Sequence, residues 1–210
     1  MKNTLESLEW RYAVKKFDKK TQLSSEQINA VKNAFNLSPS SYGLQPYKLV
    51  VVQDKALKEK LLPASFGQQQ ISQAAAVLVF AVRTDFDQAF IDRYFDLVSE
   101  TRKISLDQLA AYKNFVKGVF DKKSKEEIYT WAVKQVYLSM GHMLASLAFM
   151  KIDSCPMEGI DPSAYDQVLG LEAQGLKTVV AMPIGVRDQE DPVAFLPKVR
   201  KEISEIIVDA

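Results

Sequence analysis

The run Ala76–Arg83, AVLVFAVR, decides the fold. It is short, rich in valine and apolar up to its final arginine, which is typical of a central strand covered on both faces. Lys48–Gln53 (KLVVVQ) and Thr178–Val186 (TVVAMPIGV) have the same character and predict two further buried strands. The three runs lie far apart in the chain and helical patterns separate them, so we expect a helix-rich, layered α+β fold.

The boundaries of the early helices can be predicted from capping residues. Asn3 or Thr4 is expected to start the first helix, before LESLEW. Ser24 or Ser25 is expected to cap the second, which Pro39 stops. Three more helical patterns lie near residues 54–62, 86–98 and 105–120.

The segment Glu126–Met150 is the longest predicted helix. Its apolar residues do not stay on one stripe, and a helix that is apolar nearly all round is buried on several sides. The sequence leaves two interpretations open: a central core helix within one chain, or a helix that also packs against a partner subunit.

Composition limits the possible functions. The 210 residues, 47% of them hydrophobic, are expected to form a single domain over residues 1–210. Because 27 Lys and Arg balance 26 Asp and Glu, no overall field favours nucleic acid or an anionic membrane. His142 and Cys155 are the only residues of their types, so a Cys/His metal site and an internal disulfide are not expected.

Sequence motifs exclude several enzyme classes. No run approaches the about 18 apolar residues of a membrane span, and the N-terminus lacks a signal-type apolar region, so we expect a cytoplasmic protein. GxSxG, GxxxxGK[ST], HExxH and GxGxxG are all absent. Any redox cofactor must therefore be held by something other than a glycine-rich turn.

Two stretches combine residue types that suit a binding site. Arg11 and Lys15 are four residues apart, which places both cations on one side of the chain and suits a phosphate. The alternative is a solvated basic start. Ser38–Tyr47, SPSSYGLQPY, gathers hydroxyls, an amide and aromatics between a helix end and a strand, although an ordinary turn would also use its Pro and Gly.

Five blocks in order resemble the FMN-dependent nitroreductase family: RYAVKKFD, SPSSYGLQPYKLVVV, KQVYLSMGHML, PMEGID and LPKVR. The resemblance runs from Arg11 to Arg200. It implies a three-layer αβα sandwich with a central, mainly antiparallel sheet. It also implies an intertwined homodimer with two FMN sites at the interface.

The resemblance assigns roles along the chain. The FMN phosphate would be bound by Arg11, Lys198 and Arg200, because guanidinium groups form paired, charge-assisted hydrogen bonds with phosphate. Lys15 would lie near the pyrimidine end of the flavin and stabilise negative charge there. Ser40 would reach FMN from the neighbouring subunit.

Further positions follow from the same blocks. The segment Pro156–Gly159 would lie against the flavin ring, with the backbone N–H of Glu158 or Gly159 toward N5; without the other blocks it would read as a surface turn. Gln68 or Gln70 would contribute an amide at the flavin edge. The implied cofactor-binding residues are Arg11, Tyr12, Ala13, Lys15, Pro39, Ser40, Ser41, Gln45, Gln68, Gln70, Pro156, Met157, Glu158, Gly159, Lys198 and Arg200.

Three positions depart from the family pattern. Ala13 stands where many relatives have Ser, and Gly43 and Tyr47 replace the commoner Asn and Trp. Residues 86–120 match no motif and are expected to determine substrate preference. Three aromatic residues of this segment would either cover the flavin or belong to the core: Tyr112, Phe115 and Phe120. Outside the segment, His142 is expected to be a buried helix residue and Cys155 a free thiol.

The implied activity is transfer of hydride from NAD(P)H, by way of flavin N5, to nitroaromatic, quinone or similar acceptors in a ping-pong mechanism. No catalytic side chain or metal is needed, since the cofactor carries the chemistry with help from Lys15 and the backbone of Glu158. Alternatives are other flavin chemistry on the same fold (dehalogenation, flavin cleavage or ring dehydrogenation), a non-catalytic flavin-binding protein, and a nucleic-acid-binding module. The sequence does not separate NADH from NADPH or identify the acceptor.

Overall fold

The structure is a computed structural model that describes residues 2–209, with side chains from Thr4 onward. In chain order its elements are α1 (Lys2–Trp10), α2 (Ser25–Asn36), β1 (Tyr47–Val52), α3 (Lys55–Leu61), α4 (Gln70–Gln73), β2 (Ala76–Arg83), α5 (Gln88–Arg102), α6 (Leu106–Asp121), α7 (Lys125–Phe149), β3 (Asp153–Ser154), α8 (Pro162–Leu169), β4 (Leu176–Gly185) and α9 (Ile203–Ile206).

The sheet has the order β1-β2-β4-β3, and each neighbouring pair is antiparallel. β2 lies between its long partners, with Val79 opposite Val50 on β1 and Ala181 on β4. The three predicted strands are confirmed within one or two residues. β3 was not predicted, because two residues carry no periodic pattern.

Side chains alternate between the two faces of β2. Leu78 and Phe80 belong to a core cluster that includes residues of α2 and α7. Val77 and Val79 point to the other face, into a cluster with Phe17 and with Tyr165 of α8. Helices thus cover both faces of the sheet, which confirms the predicted αβα layering.

The helix predictions differ from the structure mainly at their ends. Ser24 caps α2 in a capping box with Gln27, as its hydroxyl suggested. The prediction for the first helix is wrong, since α1 begins at Lys2 and neither Asn3 nor Thr4 precedes it. The side chain of Asn3 lies outside the described residues.

α7 is buried on one side only. Val136, Met143 and Leu147 are inaccessible to solvent, whereas Leu138 is 47% and Phe149 52% exposed. The chain's own core therefore covers about half of this apolar helix. No helix in the described part of the chain is both long and apolar enough to cross a membrane.

α5 and α6 form a helical hairpin with an aromatic core. Phe120 is buried there against Trp131, with ring centroids 4.7 Å apart, so it is a core residue. Tyr112 and Phe115 stack on each other, 6.3 Å apart, and are largely exposed. His142 is only half-buried, contrary to expectation, while Cys155 is a buried free thiol as predicted.

Candidate active site

Three distant segments meet at the β3 edge of the sheet. Ala13 and Ser154 form a parallel bridge, and the Val14 amide donates to the Ser154 carbonyl oxygen at 3.2 Å. Lys15 Nζ lies 3.8 Å from the Sγ atom of Cys155, the residue that precedes the predicted flavin-facing turn. The fold thus brings the first basic block beside the turn at residues 156–159.

Asp191 joins the N-terminal segment to the C-terminal one. Its buried carboxylate accepts hydrogen bonds from the Lys15 amide at 2.8 Å, the Tyr12 hydroxyl at 3.1 Å and the Val193 amide at 3.1 Å. Burial opposes ionisation of Asp191, but these donors and the Lys16 amide outweigh it and lower its pKa. Ionised Asp191 therefore fixes the backbone path of residues 12–16.

Arg187 stabilises the same region. It forms an ion pair with buried Asp153, with Nη2 and Oδ1 2.6 Å apart. Its guanidinium also lies 4.2 Å from the Trp10 ring and 4.5 Å from the Tyr12 ring. These contacts hold the end of α1, and with it the position of Arg11.

A pocket of about 380 Å³ opens between the two segments and is lined by Arg11, Lys15, Lys198 and Arg200 among others. Lys198 Nζ donates to the Arg11 carbonyl oxygen, and Arg11 Nε is buried without a hydrogen-bond partner. In the described range, Arg11, Lys198 and Arg200 have no carboxylate within 4.0 Å.

Electrostatics in this pocket favour an anion. Burial and then the charge of Arg200 lower the pKa of Arg11. Partial desolvation and then Arg11 and Arg200 lower the pKa of Lys198, although its side chain is largely exposed. Arg11 and Lys198 are therefore destabilised by burial and by neighbouring positive charge, and a bound dianion would relieve that repulsion.

The turn at residues 156–159 is held on three sides. Met157 pairs with Ala181 of β4, and Gln68 Nε2 donates to the Gly159 carbonyl oxygen at 2.7 Å. Glu158 Oε1 accepts from the Tyr137 hydroxyl of α7 at 2.7 Å; burial and this carboxylate raise the pKa of Tyr137 to about 12. The backbone N–H groups of Glu158 and Gly159 donate no hydrogen bond to the described residues, and both residues are exposed.

The two candidate amides differ in environment. Gln68 donates to Gly159 and, at 3.1 Å, to the Ser65 carbonyl oxygen, so it supports the turn. Gln70 is the first residue of α4 and is buried. Of these two amides, only that of Gln68 therefore forms a hydrogen bond with the 156–159 turn among the described residues.

The hydroxyl-rich loop after α2 is held by hydrogen bonds within the loop and to α7. Ser40 Oγ accepts from the Gln45 amide at 2.9 Å, and Gln135 of α7 accepts from the Ser41 amide at 2.9 Å. Gly43 has a φ of +74°, and an added Cβ would lie 2.3 Å from the Tyr94 hydroxyl oxygen. Glycine at this position therefore follows from both the backbone conformation and the space available.

This loop lies apart from the cationic pocket. Through the described residues, no hydrogen bond or ion pair joins Ser40, Ser41 or Gln45 to Arg11, Lys15 or the 156–159 turn. Gln45 instead donates to the Asn36 carbonyl oxygen and lines a separate groove. Pro39 precedes Ser40 in the same loop. One chain thus assembles most of the predicted site but not its hydroxyl loop.

Sequence reasoning missed several supporting residues. No role was assigned from the sequence to Asp153, Arg187, Asp191, Gln135 or Tyr137. Their roles depend on contacts between segments far apart in the chain, so no local pattern could reveal them.

Comparisons with known proteins establish the family. The model described as "Nitroreductase family" matches residues 8–186, so the chain belongs to the nitroreductase family and is an oxidoreductase. It is 28% identical to the oxygen-insensitive NAD(P)H nitroreductase of Salmonella typhimurium, over 95% of each chain. It is 31% identical to the major NAD(P)H-flavin oxidoreductase of Aliivibrio fischeri, covering 97% of this chain and 96% of that protein.

A solved structure has the same fold. The putative nitroreductase of Exiguobacterium sibiricum, determined in complex with FMN, superposes with a TM-score of 0.85 and 19% identity, over 99% of this chain and 97% of that one. The predicted family and fold class are confirmed. The predicted oxidoreductase activity and cofactors agree with the names of these relatives.

Replacing Asp191 by Asn should lower the free energy of unfolding at pH 7 by about 1–3 kcal/mol, because a charged acceptor of several hydrogen bonds is lost. The folded-state pKa of Asp191 is lowered. Its contribution is therefore complete above the unfolded-state value of about 3.9 and disappears as pH falls through the folded-state pKa. Urea unfolding from pH 7 down to about pH 3 measures both effects.

Glu190→Gln is the matched control, since Glu190 lies in the same turn with its side chain 81% exposed. It should change stability by less than about 1 kcal/mol. Equal losses in the two variants, or an unchanged acid sensitivity in Asp191→Asn, would contradict the role of Asp191.

Proposed function

We propose that residues 1–210 form a single nitroreductase-like domain of a homodimeric, FMN-dependent oxidoreductase. It would take hydride from NAD(P)H and deliver it to nitroaromatic, quinone or similar acceptors. The observation that carries this proposal is the pocket lined by Arg11, Lys198 and Arg200, which have no acidic partner among the described residues. Lys15 lines the same pocket and contacts Cys155, beside a turn whose Glu158 and Gly159 amides donate to no described residue.

The pocket fits the phosphate end of FMN. A phosphomonoester carries close to two negative charges and strong acceptor oxygens. Arg11 Nε is buried without an acceptor, and Lys198 and Arg200 add charge on the same side. Tyr12 and Ala13 line the same pocket and would contact the cofactor through their backbone and through surface shape.

The ring end of the cofactor fits the β3 edge. Lys15, near Cys155, lies between the anion pocket and the 156–159 turn, where its ammonium would stabilise negative charge at the pyrimidine end. The N–H groups of Glu158 and Gly159 would donate to the ring, while Met157 holds the turn against β4. Pro156 precedes Met157 in this turn.

When bound, FMN supplies hydride acceptance and hydride donation in alternation, so donor and acceptor would use one pocket in turn. The chain's own residues need no nucleophile. Lys15 would stabilise negative charge on the flavin, and Gln68 and Tyr137 would keep the 156–159 turn in position. Solvent would supply the protons. The names of the relatives, one an NAD(P)H nitroreductase and one an NAD(P)H-flavin oxidoreductase, support this activity.

A homodimer would complete the site. The apolar side of α7 left open in one chain includes Leu138 and Phe149. The C-terminal segment exposes a second apolar surface, comprising Phe195, Leu196, Val199, Ile203, Ile206, Ile207 and Val208. Such surfaces mark interfaces, and a partner seated on them would bring its Pro39–Gln45 loop, with Ser40 and Ser41, to this chain's pocket. A cytoplasmic location belongs to the same proposal, and the free thiol of Cys155 is compatible with a reducing compartment.

Purified protein incubated with FMN and freed of excess ligand should be yellow and should oxidise NAD(P)H when a nitroaromatic or quinone is present. Initial rates over a grid of donor and acceptor concentrations should give parallel double-reciprocal lines, since both substrates use one pocket in turn. Protein that stays colourless would refute FMN binding. Protein that holds FMN but does not oxidise NAD(P)H would refute the activity.

Replacing Arg11 by Met should weaken FMN binding by about 1.5–3 kcal/mol, the range for a charged hydrogen bond. Fluorescence quenching of FMN on titration with apoprotein measures this. Lys20→Met is the control, because Lys20 is an exposed cation on the same segment outside the pocket. Equal affinities of the two variants would mean that Arg11 does not bind the phosphate.

Replacing Leu138 by Asp should shift the protein from dimer to monomer and lower FMN retention, because a charge would enter an apolar interface. Light scattering coupled to size exclusion gives the mass. Ala56→Asp introduces the same charge at an exposed apolar position on α3 and should leave a dimer. A wild-type monomer, or a dimeric Leu138→Asp variant, would contradict this interface.

A further inference from the structure

Lys58 is a buried cation that the proposed reaction does not use. It lies on α3, is 5% exposed, and its Nζ donates to the Ala74 carbonyl oxygen. Across the described residues no carboxylate lies within 4.0 Å of this nitrogen. An ammonium held away from water with one neutral acceptor is costly unless another anion compensates it.

Lys58 lines a semi-enclosed pocket of about 390 Å³ between α3, α4 and the segment after Phe17. Lys19 and Lys55 line the same pocket, and Glu59 is the acidic residue among its lining residues. Three lysines against one glutamate give the lining a formal charge of +2. Burial lowers the pKa of Lys58; the carboxylates of Glu59 and Asp54 oppose this effect, and Lys55 adds to it.

Neutral side chains supply further hydrogen-bond donors. Gln22, Gln53 and Gln73 also line the pocket. Gln73 uses its carbonyl oxygen to accept from the Phe17 amide at 3.2 Å, which leaves its amide nitrogen as a donor. The lining thus combines a desolvated ammonium, two exposed lysines and amide donors, a donor set that suits oxyanions.

We propose that this pocket binds a small phosphate-bearing anion, either inorganic phosphate or a phosphomonoester, with Lys58 as its central contact. A phosphate group carries about two negative charges at neutral pH, which matches the charge of the lining. Lysine binds phosphate as a point charge from any direction, so no planar fork is needed. The pocket shares no lining residue with the Arg11 pocket, and a ligand here would be additional to the cofactor.

Isothermal titration calorimetry on FMN-saturated protein tests the proposal, because bound FMN keeps phosphate out of the Arg11 pocket. Inorganic phosphate is titrated first and methyl phosphate second, both in chloride buffer of constant ionic strength. Wild-type protein should show one saturable site. Lys58→Met should weaken it at least about tenfold, the effect of losing one charged hydrogen bond. Lys60→Met, an exposed lysine of α3 outside the pocket, should leave it unchanged.

The two titrants identify the source of the phosphate. Tighter binding of inorganic phosphate supports the free anion, whereas equal or tighter binding of methyl phosphate supports a phosphomonoester. Should Lys58→Met fail to fold, the Lys19→Met/Lys55→Met double variant at two exposed positions provides the same comparison. The proposal is overturned if wild-type protein shows no saturable binding of phosphate. It is also overturned if Lys58→Met, or the Lys19→Met/Lys55→Met variant used in its place, binds phosphate as tightly as wild type. If FMN does not bind, the Arg11 pocket can also take phosphate and wild-type protein should show two sites; the site assigned here is then the one lost in Lys58→Met and kept in Lys60→Met and Arg11→Met.

Discussion

The carboxylate of Asp191 is the interaction on which the candidate site depends. It is buried, yet hydrogen bonds from backbone amides on both sides keep it ionised. Together with the hydrogen bond from Lys198 to the Arg11 carbonyl oxygen, this side chain holds the segment of Arg11 and Lys15 beside the segment of Lys198 and Arg200. Because the cations repel one another, contacts between the backbones of the two segments have to offset that repulsion.

The layers of the fold could be predicted because they depend on local patterns. β2 is an apolar run with both faces covered, and its predicted bounds match the structure. The start of α2 is marked by the capping residue Ser24, whose capping box lies within the four consecutive residues 24–27. β3 and α1 show the limit: β3 is too short for periodicity, and α1 begins before the residues that were expected to start it.

The candidate site could be predicted only through the resemblance of its blocks. Residue types and spacing identified Arg11 and Lys15 as a pair suited to binding phosphate. Their proximity to Lys198 and Arg200 depends on tertiary contacts. Asp191 carries no local signature that separates it from a surface acid. The loop at Ser40 is harder still, since one chain places it away from the pocket and its proposed role requires a second copy.

Gly43 has a consequence for how this protein can change. Asparagine at position 43 tolerates a left-handed backbone, but its Cβ would collide with the Tyr94 hydroxyl. The two positions are therefore coupled: asparagine at position 43 requires the Tyr94 side chain to move or to be replaced. Changes in α5 and changes in the hydroxyl loop are consequently not independent of each other.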